Sequence, residues 1–339
     1  MMDLNVAWFL LITVLLAGYA VLDGFDLGVG VLHLFARNEH ERRLHLNAIG
    51  PVWDGNEVWL LTGGGAMFAA FPPVYATVFS GLYLALVLLL LALIFRAVAI
   101  EFRGKVESPA WRRAWDWGFG LGSLLPAALL GVAFGNVMRG LPMDGNHVFT
   151  GSFLGLLNPY SLLVGVLSLV LFVAHGALYM TVKTDGELRE RMGRVASGGW
   201  VAVVVLFLAV MVATFFAAPH LFDAGLKRPL FWVVLILLLS GLVYQPVALK
   251  AGRFLAAFLA SSLSVVCMVG LAAVCLFPRL VPSITDLNYS LDIYNAASTP
   301  RTLTVMLIIA LIGMPMVLIY TAFIYWAFRG KTVIHEESY

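Results

Sequence analysis

The sequence predicts an all-α polytopic membrane protein of nine transmembrane helices, N-terminus outside and C-terminus in the cytoplasm. Three observations carry that prediction. Hydrophobic residues make up 61% of the 339-residue chain and Asp, Glu, Lys and Arg only 12%, against about 45–50% and about 25% in soluble domains. Nine apolar segments can be drawn, at roughly 7–35, 49–71, 75–100, 115–138, 156–181, 197–218, 229–248, 254–277 and 302–328, each near the roughly 20 residues that a bilayer crossing needs. The basic residues then orient them. With the N-terminus outside, the inner loops hold Arg37, Arg42, Arg43, Arg103, Lys105, Arg112, Arg113, Lys183, Arg189, Arg191, Arg194, Lys250, Arg253, Arg329 and Lys331. The outer loops hold only Arg139, Lys227, Arg228, Arg279 and Arg301, and Arg96 is left inside a helix. Such an excess of Lys and Arg in short loops marks the cytoplasmic face.

The first segment has no basic residue ahead of it and no small-residue cleavage site, so it is expected to be a retained helix rather than a signal peptide. The second, within "PVWDGNEVWLLTGGGAMFAAF" (51–71), carries Asp54 and Glu57 and would score poorly as a span. Deleting it would invert every later loop and destroy the charge bias, so it is retained. The third ends with Arg96 and is followed by Glu101. Trp111, Trp115 and Trp117 gather where the fourth begins, as an interfacial aromatic belt does. Gly24/Gly28, Gly118/Gly122 and Gly131/Gly135 have the small-xxx-small spacing that lets helices approach closely. Cys267 and Cys275 lie eight apart on one helix, about 12 Å along its axis, too far for a disulfide. About 24 residues, 278–301, separate the last two segments; the other loops are short, and 1–339 reads as one transmembrane domain.

The acids are the informative residues. Asp23 and Asp26 are three apart, as are Asp54 and Glu57, so each pair shares a helix face. The orientation puts both pairs, Arg96 and Glu101 in the cytoplasmic half of three consecutive helices. One charge at a helix centre costs about 2.5–3.5 kcal/mol, so four unpaired acids would cost on the order of 10 kcal/mol, comparable to a whole domain's stability. Arg96 can pair with one or two. The rest are expected to be protonated, hydrated or neutralised by a cation, a state suited to passing protons. A packing ion pair with the other acids at the interface is the alternative.

The histidines point elsewhere. His33, His40 and His45 fall at the inner end of the first helix and its loop; His147, His220 and His335 are in loops or the tail. Only His175 lies deep in a span, and without an evident axial partner it is expected to be a hydrogen-bonded interior residue rather than a haem ligand. No His-x-x-His, His-Glu-x-x-His or Cys-x-x-Cys motif is present. "TGGGA" and "GFGLG" follow no strand and match neither Rossmann nor P-loop spacing. No metal, nucleotide or nucleic-acid partner is expected.

"DGFDLGVG" (23–30), "PVWDGNEVWLLTGGGAMFAAFPPVYATVFSGLY" (51–83), "RAVAIEFR" (96–103), "WDWGFGLGSLLPAALLGVAFGN" (115–136), "LLNPYSLLVGV" (156–166) and "LIYTAFIYW" (318–326) resemble subunit II of the cytochrome bd-type quinol oxidases nearly end to end. The resemblance implies two four-helix bundles plus one extra helix, in the bacterial cytoplasmic membrane. It implies a heterodimer whose subunit I carries the quinol site and three haems, two b type and one d type or a third b type, with no haem in this chain. Small accessory subunits are a further possible set of partners. The complex oxidises quinol and reduces dioxygen to water with cytoplasmic protons. Asp26, Asp54 and Glu101 match family acids linked to the proton path, Arg96 matches a family arginine, and Trp59 matches a tryptophan near the oxygen route or the interface. Asp23 and Glu57 complete the acidic set. Glu101 stands where a relative has Asp, Glu57 where Gln also occurs, and His175 where a relative has Gln.

Two other functions compete: a stand-alone proton- or cation-coupled transporter, disfavoured because no inverted repeat or matched broken helices are evident, and a purely structural partner of subunit I.

Overall fold

The structure is a computed structural model and describes residues 3–334, with the backbone alone at Ala224; His335 lies outside the described residues. Prolines set the starts of many helices. Pro72, Pro109, Pro159, Pro219, Pro229 and Pro300 each open one, at positions where the missing N–H leaves no bond unmade. Side chains of Asp3, Asn38, Asn158 and Thr299 cap four helix N-termini, satisfying backbone N–H groups that have no intrahelical acceptor.

The elements run α1 (Leu4–His33), α2 (Glu39–Ile49), α3 (Trp53–Ala70), α4 (Pro72–Gly81), α5 (Tyr83–Phe102), α6 (Pro109–Arg139), α7 (Pro159–Lys183), α8 (Gly186–Ala217), α9 (Pro219–Gly225), α10 (Pro229–Lys250), α11 (Phe254–Leu276) and α12 (Pro300–Ala327). Eight helices among the described residues are long and apolar enough to cross a membrane: α1, α5, α6, α7, α8, α10, α11 and α12. The segment 49–71 forms α3, whose 18 residues make a rod of about 27 Å. The predicted segment 75–100 is two helices rather than one: the chain breaks at Leu82 between α4 and α5. The 278–301 connection is not featureless either. It holds an antiparallel pair, β1 (Arg279–Val281) with β2 (Leu291–Asp292), and a 3-10 turn at Leu287–Tyr289.

Helix α1 is the centre, packed against α3, α6, α7, α11 and α12. Helix α5 lies on α6, α8 on α7, and α10 on α11. The close meeting of α1 and α7 depends on glycine. A Cβ on Gly28 would fall 1.9 Å from the Phe172 carbonyl oxygen, and one on Gly176 would fall 2.6 Å from the Val29 nitrogen. One core cluster, with Phe25, Leu46, Ile49, Phe119 and Met180, fills the end where α1 finishes; another, with Trp8, Phe71, Leu141, Val281 and Leu291, fills the opposite end. On α12 only Leu303 is buried.

Candidate proton-handling site

Two polar assemblies stand against α1. The first lies between α1, α3 and α5. Arg96 of α5 meets Asp23 with both terminal nitrogens, Nη2–Oδ1 at 2.6 Å and Nη1–Oδ2 at 3.1 Å, and both residues are 0% exposed. Its Nη1 is also 3.9 Å from Glu57 Oε2, where α3 passes. One turn along α1, Asp26 faces α3 instead. Asn56 Nδ2 donates to Asp26 Oδ2 at 2.7 Å and to the Leu22 carbonyl at 3.3 Å, while Tyr325 of α12 donates its hydroxyl to Asn56 Oδ1 at 3.0 Å. Asp26 Oδ1 is buried without a hydrogen-bond partner. Three carboxylates, Asp23, Asp26 and Glu57, thus share one guanidinium in a largely buried site. Full ionisation of all three would leave two uncompensated charges, which burial penalises heavily.

The remaining predicted residues are placed differently. Asp54 is exposed in the first turn of α3, where the helix dipole favours an acid. It begins an outward stripe of Val58, Leu61, Gly65 and Phe68 at helical spacing. Glu101 is exposed at the end of α5. Trp59 points inward, packed on α1 over Gly18, where a Cβ would sit 2.4 Å from its ring, with Leu15 and Tyr19 alongside.

The second assembly was not legible as a unit. It sits where α1 ends, among α2, α6, α8 and the 3-10 turn Arg103–Lys105. Asp116 Oδ1 receives His33 Nε2 at 2.6 Å and Arg103 Nε at 2.5 Å, and Arg42 Nη1 is 3.6 Å from Oδ2. Arg103 also forks onto Glu39 at 3.0 and 2.8 Å. Glu41 accepts from the Arg37 backbone at 2.8 Å and from Arg191 of α8 at 2.5 Å. Burial pulls both Glu39 and Glu41 upward, but the arginine hydrogen bonds outweigh it and hold each carboxyl below its usual range. His45 has neither ring nitrogen bonded, and burial, helped by His33 and Arg191, drives its pKa down to about 3. The sequence signals were His33 seven residues after Asp26, hence on the same face of α1, and Asp116 two turns into a helix otherwise apolar from Phe119 on.

His175 is not available as a ligand: its Nδ1 is 2.9 Å from Ser261 Oγ and its Nε2 3.1 Å from the Val21 carbonyl. A carbonyl only accepts, so Nε2 carries the proton and Ser261 donates to Nδ1. Both nitrogens are used, and the residue does not fit an iron. Cys267 and Cys275 are free thiols.

Residues 4–328 match the family described as cytochrome bd terminal oxidase subunit II. The chain is 38% identical to cytochrome bd-I ubiquinol oxidase subunit 2 of Escherichia coli K12, over 97% of this chain and 95% of that one. It is 39% identical to cytochrome bd ubiquinol oxidase subunit 2 of Bacillus subtilis, over 99% of each. Among solved structures, a chain of the bd oxidase from Geobacillus thermodenitrificans superposes with a TM-score of 0.78, at 18% identity, covering 96% of this chain and 99% of that one; this likeness concerns the fold. With a family match spanning nearly its whole length, the chain belongs to the cytochrome bd terminal oxidase subunit II family.

Proposed function

We propose that this chain serves its oxidase by carrying cytoplasmic protons toward the haem-bearing subunit I and by forming the heterodimer with it. Membership of the family makes it a subunit of a terminal quinol oxidase, an oxidoreductase complex of the membrane; the transporter alternative has no support in these relatives. The observation that carries the proton role is the fully buried Asp26, one oxygen held by Asn56 and the other unpartnered, beside an Asp23–Arg96 pair that cannot neutralise it and Glu57 together. Reduction of dioxygen to water consumes protons, and the haems of subunit I, two b type with a d type or third b type, supply the redox chemistry when bound. This chain's part is to hold a proton at the Asp26 carboxyl, in a path to which Glu57, Asp54 and Glu101 also belong, with Asp23 fixed by Arg96.

In this reading α3 is a ninth crossing, and the chain has its N-terminus outside and its C-terminus in the cytoplasm of a bacterial inner membrane, since only that count keeps the basic loops on one side. The end where α1 finishes is then cytoplasmic. The α3 stripe that begins at Asp54 is the face offered to subunit I: its side chains find no cover within this chain, and Cβ atoms on Gly55, Gly64 and Gly65 would meet open space, as a closely approaching partner helix requires. Trp59 lines the same helix on its inner side, an oxygen-route residue by resemblance.

Asp54→Asn in the purified oxidase tests this. Slowed quinol-driven oxygen uptake at unchanged haem content is the expected result. Loss of subunit I from the preparation instead would reduce Asp54 to an assembly residue.

A further inference from the structure

We propose that His33 is the working group of a proton entrance leading from α2 at the cytoplasmic surface to Asp26, with the Ser123 hydroxyl between them. The proposal rests on the reading of Asp26 as a proton carrier.

Asp116 already faces Arg103 and Arg42, so its carboxylate accepts and His33 donates through Nε2–H. That leaves Nδ1 with the lone pair. Nδ1 is buried without a hydrogen-bond partner, and so are both ring nitrogens of His45, whose ring centre is 5.9 Å away. His33 and His45 are 1% and 0% exposed. Leaving a buried polar atom unsatisfied costs the full desolvation of that atom. Three such atoms on adjoining rings are a poor way to pack a helix end and a suitable lining for a transient water that exchanges protons.

The inward route follows α1. Asp26, Gly30 and His33 fall on one stripe, at i, i+4 and i+7. The missing side chain at Gly30 is filled from α6: a Cβ there would lie 1.9 Å from Ser123 Oγ. A fully buried hydroxyl therefore rests on α1 about one turn from each of Asp26 and His33. It donates to the Phe119 carbonyl at 2.8 Å, and its lone pairs accept from a water that carries the proton past it. Outward, Asp116 is tied through Arg103 to Glu39, whose side chain is 43% exposed; this ion-pair chain fixes the ring at Nε2 and does not itself carry the proton.

The step is a proton exchange with no electron transfer. A hydronium ion reaching Nδ1 from the α2 side gives up its proton and becomes water, forming an imidazolium that faces Asp116. The Nδ1–H bond then breaks, its proton passing to a water on the Ser123 side that becomes hydronium, and the ring is neutral again. The Nε2–H bond to Asp116 is never broken. The charged and titratable groups facing the ring are Arg42 and His45 from α2, Asp116 from α6 and Arg103 from the turn after α5; Arg191 of α8 acts on His45.

The test uses the intact oxidase with His33→Gln, whose amide keeps the donation to Asp116 but cannot carry a proton, with Ser123→Ala, and with Asp26→Asn. Haem spectrum and subunit stoichiometry report assembly; quinol-driven oxygen uptake is followed against pH. His33→Gln is expected to lower uptake about tenfold at normal haem content, with the loss growing toward alkaline pH where protons are scarce. Ser123→Ala should give a smaller loss of the same pH dependence. Full uptake and an unchanged pH profile in His33→Gln overturn the proposal. If His33→Gln does not assemble, Ser123→Ala decides: a pH-dependent loss supports the entrance and wild-type behaviour overturns it. Slow Asp26→Asn with normal His33→Gln overturns the entrance while the carrier role stands; full uptake in Asp26→Asn removes both.

Discussion

Arg96 and Asp23 form a two-pronged ion pair, 2.6 and 3.1 Å, between the third predicted span and the first, with neither side chain exposed to solvent. A buried guanidinium without its carboxylate is an uncompensated charge, which makes the pair far costlier to halve than to omit.

Asp23→Asn or Arg96→Leu is therefore expected to cost about 3–5 kcal/mol, seen as a lowered melting temperature and poor recovery of the assembled complex. The double variant Asp23→Leu with Arg96→Leu should recover most of that loss. A double variant as unstable as the sum of the two singles would contradict the ion-pair account.

Asp26→Asn keeps an acceptor for the Asn56 amide but cannot release a proton. Oxygen uptake should fall by tenfold or more, since positioned proton-transfer groups contribute about 10²–10⁴ in rate, while haem content and melting temperature stay near wild type. Uptake falling only in step with haem would assign Asp26 to packing.

Tyr325→Phe removes the hydroxyl that ties α12 to Asn56. A loss of about 0.5–1.5 kcal/mol in stability is expected, together with a milder slowing than Asp26→Asn, because Asn56 is then free to turn away from Asp26. An unchanged melting temperature and rate would show that α12 is held by its apolar contacts alone.

Acid should weaken the α2 end in two stages. His45 is neutral in the folded chain down to about pH 3 and takes a proton near 6.5 when unfolded. Between those values the unfolded state binds the extra proton, so stability is lost as the pH falls below 6.5. Glu39 and Glu41 lie below their usual 4.5, so their contribution is lost only as the pH falls under 4.5. His45→Leu should flatten the first stage and spare the second, read from melting temperature against pH. A first stage that persists in His45→Leu would exclude this residue as its source.

Gly28→Ala would push a methyl group against the Phe172 carbonyl, whose oxygen lies 1.9 Å from the added carbon. Overpacking of this kind costs about 1–3 kcal/mol, and here the obstacle is backbone. The variant should accumulate poorly in the membrane, whereas Gly313→Ala, facing open space on α12, should behave as wild type.

Local regularities were legible in the chain itself. Runs of apolar residues produce spans because the bilayer demands about 20 of them, and acids three apart share a helix face because the helix turns every 3.6 residues. Those rules identified the eight long apolar helices, the close-packing Gly28, and the grouping of Asp23 with Asp26 and Asp54 with Glu57. They could not say what each face meets. Asp23 and Asp26 share a face, yet one meets Arg96 on α5 and the other Asn56 on α3. Asp54 and Glu57 share another, yet one is exposed and the other approaches Arg96. The break at Leu82, the tether from Tyr325, and the joining of His33, Asp116, Arg103 and Glu39 across four segments were decided by tertiary packing. The physical reason is range: periodicity is set within one or two turns, whereas hydrogen bonds between residues 73, 83 or 269 positions apart exist only once the helices have chosen their neighbours.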